Sequence, residues 1–290
     1  MASLRIIRRR LRSIQNTKQI MRAMQLVSAS KFKRSQDRLL EVRRLMEFLD
    51  GLLQRVLAAI PDLDHPLCTK REDAADALVL FTSDAGLCGA YNANLIQLAE
   101  AELRRDTLRP TQCITIGKKG HRHVTKRGHE VVESHIDLAG RPNLRQAREI
   151  GQSLMKRFLL GQVSSIKLLY PQFVSSMKSQ PVVETWLPIS ITQSLNHPIT
   201  PPSNDMEYIF EPSPKRVFED LLPRWALAKF QLVMLEAFTS EHSARMMAMK
   251  NATDNAAELV DELTMQRNKI RQASITKEIS EIVGTAEALT

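Results

Sequence analysis

Between Ser83 and Asn92 the chain reads SDAGLCGAYN, two glycines and a cysteine just ahead of a segment with helical spacing. Turns of this kind, between a strand and a helix, can hold phosphates because backbone N–H groups and a helix N-terminus converge there. The GxGxxG spacing and the P-loop Lys-Ser/Thr pair are both missing, so a structural strand-to-helix turn is the expectation. Cys88 has no base near it in sequence to generate a thiolate. His121, His123, His129 and His135 cluster, but without carboxylates or thiols at metal-site spacing they read as surface histidines. Three cysteines with no CxxC pair suit a reducing compartment better than a disulfide framework or a zinc site. No Ser/His/Asp arrangement stands out. The expectation is a protein with no active site, cofactor or metal of its own.

The chemistry that does stand out is charge. Residues 1–36 hold ten Lys/Arg and no acidic residue, and residues 1–60 hold 14 basic against 4 acidic side chains. That local excess is larger than the net +9 of the whole 290-residue chain, and the segment from Arg224 onward is close to neutral. Arg5, Arg8, Arg9, Arg10, Arg12, Lys18, Arg22, Lys31, Lys33 and Arg34 make the stripe. A stripe of this sort is usually a solvated face. If it has a partner, that partner is acidic: nucleic acid, anionic lipid or a carboxylate-rich protein loop. An Arg-rich, acid-free start also imitates a mitochondrial transit peptide. The hydrophobic register below runs past any plausible cleavage point, so the segment is read as part of the mature protein.

The element that positions this charge is a long helix. Apolar residues recur at 3-4 spacing from Leu4 to Ile60, and thirteen of seventeen such positions are apolar. No Gly precedes Gly51 and no Pro precedes Pro61. Sustained spacing of this kind specifies a coiled-coil helix, about 85 Å long at the usual rise, with Ser3 as its N-cap and Pro61 as its stop. Lys18, Gln25, Ser28 and Ser35 are polar on the seam itself, which predicts an interrupted middle section kept for function. A second stretch without Gly or Pro runs from Arg224 to Val283, with Leu227, Phe230, Met234, Met249, Ala256 and Leu263 at helical spacing and a drifting register. Ser213-Pro214 supplies an N-cap and first-turn pair ahead of it. The two rods are expected to fold back on each other as an antiparallel coiled coil, the longer second one projecting alone at one end.

Between the rods the texture changes. Strands are expected at 77–82, 111–117, 130–134, 163–174 and 181–187, and helices at 92–105, 118–127 and 143–160. Alternation of this kind predicts α/β architecture with a largely parallel, doubly wound, Rossmann-like sheet. Residues 188–206, rich in Pro, Ser, Thr and Asn, read as an exposed connection. The expected organisation is a coiled-coil helix at 1–60, an α/β domain with its connecting loops at 61–206, and a second helical region at 207–290. No apolar run reaches the ~18 residues needed to span a bilayer.

Three stretches together resemble one family: residues 4–38, the SDAGLCGAYNANL turn, and the segment from Ser240 to Leu289 with its Ile275-Thr276-x-Glu278-x-x-Glu281 signature. They are similar to the gamma subunit of F-type ATP synthases, nearly end to end and in the same order. Thr285 departs from the pattern, standing where the family usually has Gly or another small residue. The cysteine-bearing insertion of chloroplast gamma subunits is absent. The resemblance implies a non-catalytic rotor shaft in a complex with three alpha, three beta, an epsilon subunit and a membrane c-ring, coupling proton or sodium flow to ATP synthesis and hydrolysis. It implies contacts to the beta catch loops at Met24, Arg245, Arg271, Gln272, Thr276 and Glu281, and an apolar tip near Ile282–Leu289 turning in an apolar sleeve. It implies a foot on the c-ring and epsilon at Tyr208, Phe210 and Glu211, with Lys31, Lys33 and Arg34 nearby. The expected location is the cytoplasmic face of a bacterial cell membrane, with the mitochondrial matrix side as the alternative.

Two other classes remain open on the residues alone. A basic region ahead of heptads also fits a nucleic-acid-binding coiled coil, with salt-sensitive affinity for DNA. A doubly wound enzyme using the Asp84–Asn92 turn would bind nucleotide as an isolated chain.

Overall fold

The computed structural model describes residues 2–59, 65–69, 71, 74–105, 110–138, 143–190 and 210–287. The element order is α1 (Ala2–Ala59), β1 (Ala75–Phe81), α2 (Tyr91–Arg105), β2 (Thr111–Ile116), α3 (Lys118–Lys126), β3 (Val131–His135), α4 (Leu144–Leu159), β4 (Val163–Ser175), β5 (Lys178–Leu187) and α5 (Pro214–Glu287). Pro61 and most of the 188–206 connection lie outside the described residues. Helix α1 already includes Ala2, and the side chain of Ser3, expected as its N-cap, lies outside the described part of the structure.

Burial along α1 follows the heptads. From Leu4 to Val56 each seam position is buried or half-buried, while Arg5, Arg8, Arg9, Arg10, Arg12 and Arg22 are exposed. The polar seam residues do not break the seam. Ser28 and Ser35 are buried, and the Ser35 and Thr239 hydroxyls hydrogen-bond at 2.8 Å between α1 and α5. A buried hydroxyl is tolerated when it has such a partner. The expectation of an interrupted middle is corrected here, at least for Ser35, which is part of the packing. Ser35→Ala is expected to cost about 1 kcal/mol by leaving Thr239 without its side-chain partner, measurable as a lowered urea midpoint.

Helix α5 starts at Pro214, with the Ser213 hydroxyl accepting from the Arg216 N–H at 3.3 Å. It then runs through Pro223 without ending. A proline there removes one i→i−4 bond. Phe218, Leu222, Trp225 and Ala226 are all buried around it, and that burial holds the helix together across the missing bond. From Val233 to Ser243 each residue is buried, because this stretch lies between α1 and the sheet and has no solvated face. That explains the drifting register read from the sequence.

The sheet order is β3-β2-β1-β4-β5, parallel from β3 through β4, with β5 joined antiparallel to β4. Side chains alternate across it. Ala77, Val79, Phe81 and Ile114 face α4, α1 and α5 in one core, which also holds Leu53, Phe158, Trp186 and Phe230. Leu78, Leu80 and Cys113 face α2 and α3 in a second, with Tyr91, Leu95 and Val124. Both faces are covered, so β1 is apolar without a break from Ala77 to Phe81. Gly117, after β2, has φ +100, and a Cβ there would lie 2.1 Å from the Thr82 carbonyl oxygen. Only glycine fits at that point.

Two compact units result. One comprises Met1–Ser28 with Met246–Thr290, and the other Ala29–Arg245. Within the larger unit α1 and α5 are antiparallel: Ser35 meets Thr239, Arg43 meets Glu236, and Asp50 meets Trp225. Within the smaller, Leu11 and Ser28 are buried on one segment and Met249, Thr253, Ala256 and Leu263 on the other. From Arg271 to Thr285 only Ser274 is less than exposed, so this end of α5 is unpacked by the rest of its unit.

Candidate partner-binding site

The Ser83–Asn92 turn is closed by its own side chains. The Ser83 N–H donates to Asn92 Oδ1 at 3.0 Å, Asn92 Nδ2 donates to Ser83 Oγ at 2.8 Å, and the Ser83 hydroxyl donates to the Ala85 carbonyl at 2.6 Å. Leu87 (φ 62) and Gly89 (φ 59) take the left-handed backbone that lets the loop reverse. Asp84 Oδ1 accepts from the Lys118 N–H at 3.0 Å and the Asp137 N–H at 3.2 Å, which ties the turn to the neighbouring strand ends. Cys88 is buried, with Sγ 3.1 Å from Asn92 Nδ2.

Arg245 of α5 meets this turn. Its Nη2 donates to the Ala85 carbonyl at 3.0 Å and its Nε to the Gly86 carbonyl at 3.2 Å, while Nη2 pairs with Glu241 at 2.8 Å. Arg245 is 8% exposed and Glu241 4%. Burial holds the Glu241 carboxyl above its ordinary range, opposed mainly by Arg245, and Asp84 raises it further while Lys31 lowers it. The turn therefore presents carbonyl oxygens to a cation, the opposite polarity from a phosphate cradle. Tyr91 donates to the Ala237 carbonyl at 3.1 Å, and burial is the main cause that keeps its phenol protonated. Together these bonds fix the turn to α5.

Of the other beta-contact residues read from the sequence, Met24 is half-buried on α1, and Arg271, Gln272, Thr276 and Glu281 are exposed on α5. Thr276 bonds the Gln272 carbonyl at 3.0 Å, and Glu281 pairs with Lys277 at 3.6 Å, both along the helix. Thr285 bonds back to the Glu281 and Ile282 carbonyls at 2.9 Å. Ile275, Ile279, Ile282 and Val283 are exposed on the same stretch. Of the foot residues, Tyr208 lies outside the described residues, Phe210 is half-buried against the main core, and Glu211 is exposed. Lys31 is half-buried, Arg34 is exposed, and Lys33 pairs with Asp37 at 2.8 Å on the surface. The bonds of Arg245 to the Ala85 and Gly86 carbonyls and the ion pair of Arg43 with Glu236 were not foreseen from sequence, because these partners are far away along the chain.

Three of the four clustered histidines have close polar neighbours: His123 Nε2 lies 2.7 Å from Glu100, His121 Nδ1 lies 3.4 Å from Thr115, and His135 Nε2 lies 2.9 Å from Glu133 but outside hydrogen-bond geometry. The Glu100 carboxyl is held below its ordinary range, first by the His123 hydrogen bond and further by Arg127 and Arg104. Burial pushes the Cys113 thiol up to about 11, so it stays protonated. Among the described residues no group of three or more His, Cys, Asp or Glu is placed to hold a metal ion. No helix among them is long and apolar enough to cross a membrane.

In the larger unit a doubly wound sheet packs on an antiparallel helix pair, and in the smaller unit one end of α5 leaves Ile275, Ile279 and Ile282 exposed. A family model described as ATP synthase matches residues 3–289. The ATP synthase gamma chain of Moorella thermoacetica is 41% identical over the full length of both chains. That of Symbiobacterium thermophilum is 40% identical over 98% of this chain and 97% of its own. The chain belongs to the ATP synthase gamma-chain family. Solved structures share the fold: an OSCP, F1 and c-ring structure of the mitochondrial ATP synthase of Euglena gracilis gives a TM-score of 0.65 at 17% identity, covering 99% of this chain and 95% of that one. A central stalk and c-ring structure from Tetrahymena thermophila gives 0.60 at 22% identity, covering 80% and 99%. These relatives lend no support to the nucleic-acid-binding alternative.

Proposed function

We propose that the chain is the turning central shaft of an ATP synthase, carrying torque between the membrane c-ring and a ring of three alpha and three beta subunits. It holds no catalytic group. Its asymmetry lets each beta subunit meet a different face. The full-length identity to gamma chains is the observation that carries this reading. The exposed end of α5 supports it physically: Ile275, Ile279, Ile282 and Val283 would be an aggregation hazard unless a partner surrounded them. A sleeve of apolar contacts holds such an end without directional bonds, so it can turn.

In this reading Met24, Arg271, Gln272, Thr276 and Glu281 face the catch loops of beta, and Arg245 acts from within, by setting the turn that lies beside it. Phe210 and Glu211, with Tyr208, Lys31, Lys33 and Arg34, belong to the foot on the c-ring and epsilon. The complex would sit on the cytoplasmic face of a bacterial cell membrane. The test is reconstitution. Alpha and beta purified with this chain are expected to give a stable 3:3:1 particle whose ATP hydrolysis is lost when the chain is left out. A particle of equal activity without the chain contradicts the reading.

A further inference from the structure

Beside the apolar core between sheet and coiled coil lies an open cavity of about 470 Å³. Its walls come from α1, α5, β4 and β5 and carry Arg43, Asp50, Tyr170, Glu184, Lys229 and Glu236. Here the bodies are joined by polar bridges. Arg43 Nη2, on α1, donates both to Glu236 Oε1 on α5 and to the Phe173 carbonyl on β4, each at 2.8 Å. Lys229 of α5 pairs with Glu184 of β5 at 2.9 Å, and Glu184 also accepts from the Tyr170 hydroxyl at 2.9 Å. The Glu236 side chain is 7% exposed and that of Arg43 34%. Its buried partner makes this pair less sensitive to salt than a surface bridge.

The two kinds of contact resist different motions. Apolar burial opposes separation but has no direction, and a twist of a few degrees changes the buried area little. Charge-assisted hydrogen bonds are short and directional, so a twist stretches or bends them at once. We propose that Arg43, tied to Glu236 and the Phe173 carbonyl, is a torsional coupling residue that fixes the angle of the α/β sheet on the coiled coil, so that the two turn together without lost angle. Lys229–Glu184 is the second tie, at the sheet edge. This inference rests on the shaft reading above.

The test uses the assembled complex with alpha and beta immobilised and a probe on the β4–β5 turn, through M177C at a residue that is 82% exposed. During ATP hydrolysis the spread of angles within each dwell reports torsional stiffness. In R43M the variance is expected to rise about twofold, with stepping and hydrolysis retained, because two charge-assisted bonds are lost at once. R43K, which keeps the charge without the fork of donors, should fall between. E236Q keeps an acceptor and loses only the ion pair, so a smaller rise is expected. An unchanged spread in an R43M complex that steps normally overturns the proposal. If R43M does not assemble, E236Q decides, and a wild-type spread there overturns it. Failure of the shaft reading would look different: the unmodified chain itself would show no ATP-driven turning.

Discussion

Arg245→Met is expected to destabilise the chain by about 3–5 kcal/mol, the usual result of removing one member of a buried ion pair. Two costs combine. Glu241, 4% exposed, would lose the cation that offsets its burial. The Ala85 and Gly86 carbonyls would lose a donor each. Glu241→Gln in the same background should recover part of the loss, since a neutral amide needs no counter-charge. The pH dependence has a definite sign. Burial raises the native pKa of Glu241 above its unfolded value, and loss of Arg245 raises it further. The native state then binds more protons than the unfolded state between those two values, so its stability falls as pH rises through that window. The penalty of R245M is therefore expected to be larger at about pH 8 than at about pH 5, where the carboxyl is partly protonated. Urea unfolding at both pH values measures it; an equal penalty at both would show that Glu241 is not the group left uncompensated.

Replacing Arg271 and Gln272 together by Ala should have the opposite profile. Both side chains are exposed on an unpacked stretch of α5, so the fold should change by no more than about 0.5 kcal/mol. What should be lost is grip on the ring. Removing an arginine and an amide from a desolvated contact commonly costs more than 1 kcal/mol, so a fall of about tenfold is expected in the affinity of the chain for alpha and beta or in coupled ATP synthesis. Thermal unfolding of the isolated chain and synthesis by the reconstituted complex separate the two effects. Normal assembly and normal coupled synthesis in the double variant would remove these positions from the beta contact.

The contrast between Arg245 and Arg271 shows where sequence reading stops. Heptad periodicity depends only on near neighbours, and from Leu4 to Val56 the seam lies where the pattern puts it. The strands of the α/β domain were legible for the same reason, as short apolar runs between turn residues; β2 begins at Thr111 and β4 at Val163, as expected. Local pattern could not show that Pro223 is carried inside a helix, because what holds it there is packing by Phe218, Leu222 and Trp225. Nor could it show that Ser35 finds Thr239, 204 residues away, or that the guanidinium of Arg245 is committed to a turn near residue 85. A polar residue on a seam reads the same in sequence whether it serves a partner or its own fold. For Arg271, Gln272 and Thr276 the resemblance to gamma chains supplied the assignment, and their spacing alone would have suggested only a solvated helix face.

Rotation seen directly is the measurement closest to the central claim. With alpha and beta fixed to a surface and a visible probe on the β4–β5 turn, added ATP should drive stepwise turning of the probe in one direction, three steps per revolution for a ring holding three beta subunits. A probe that stays still, or only jitters without direction, while the same particles hydrolyse ATP would contradict the account of this chain as a shaft.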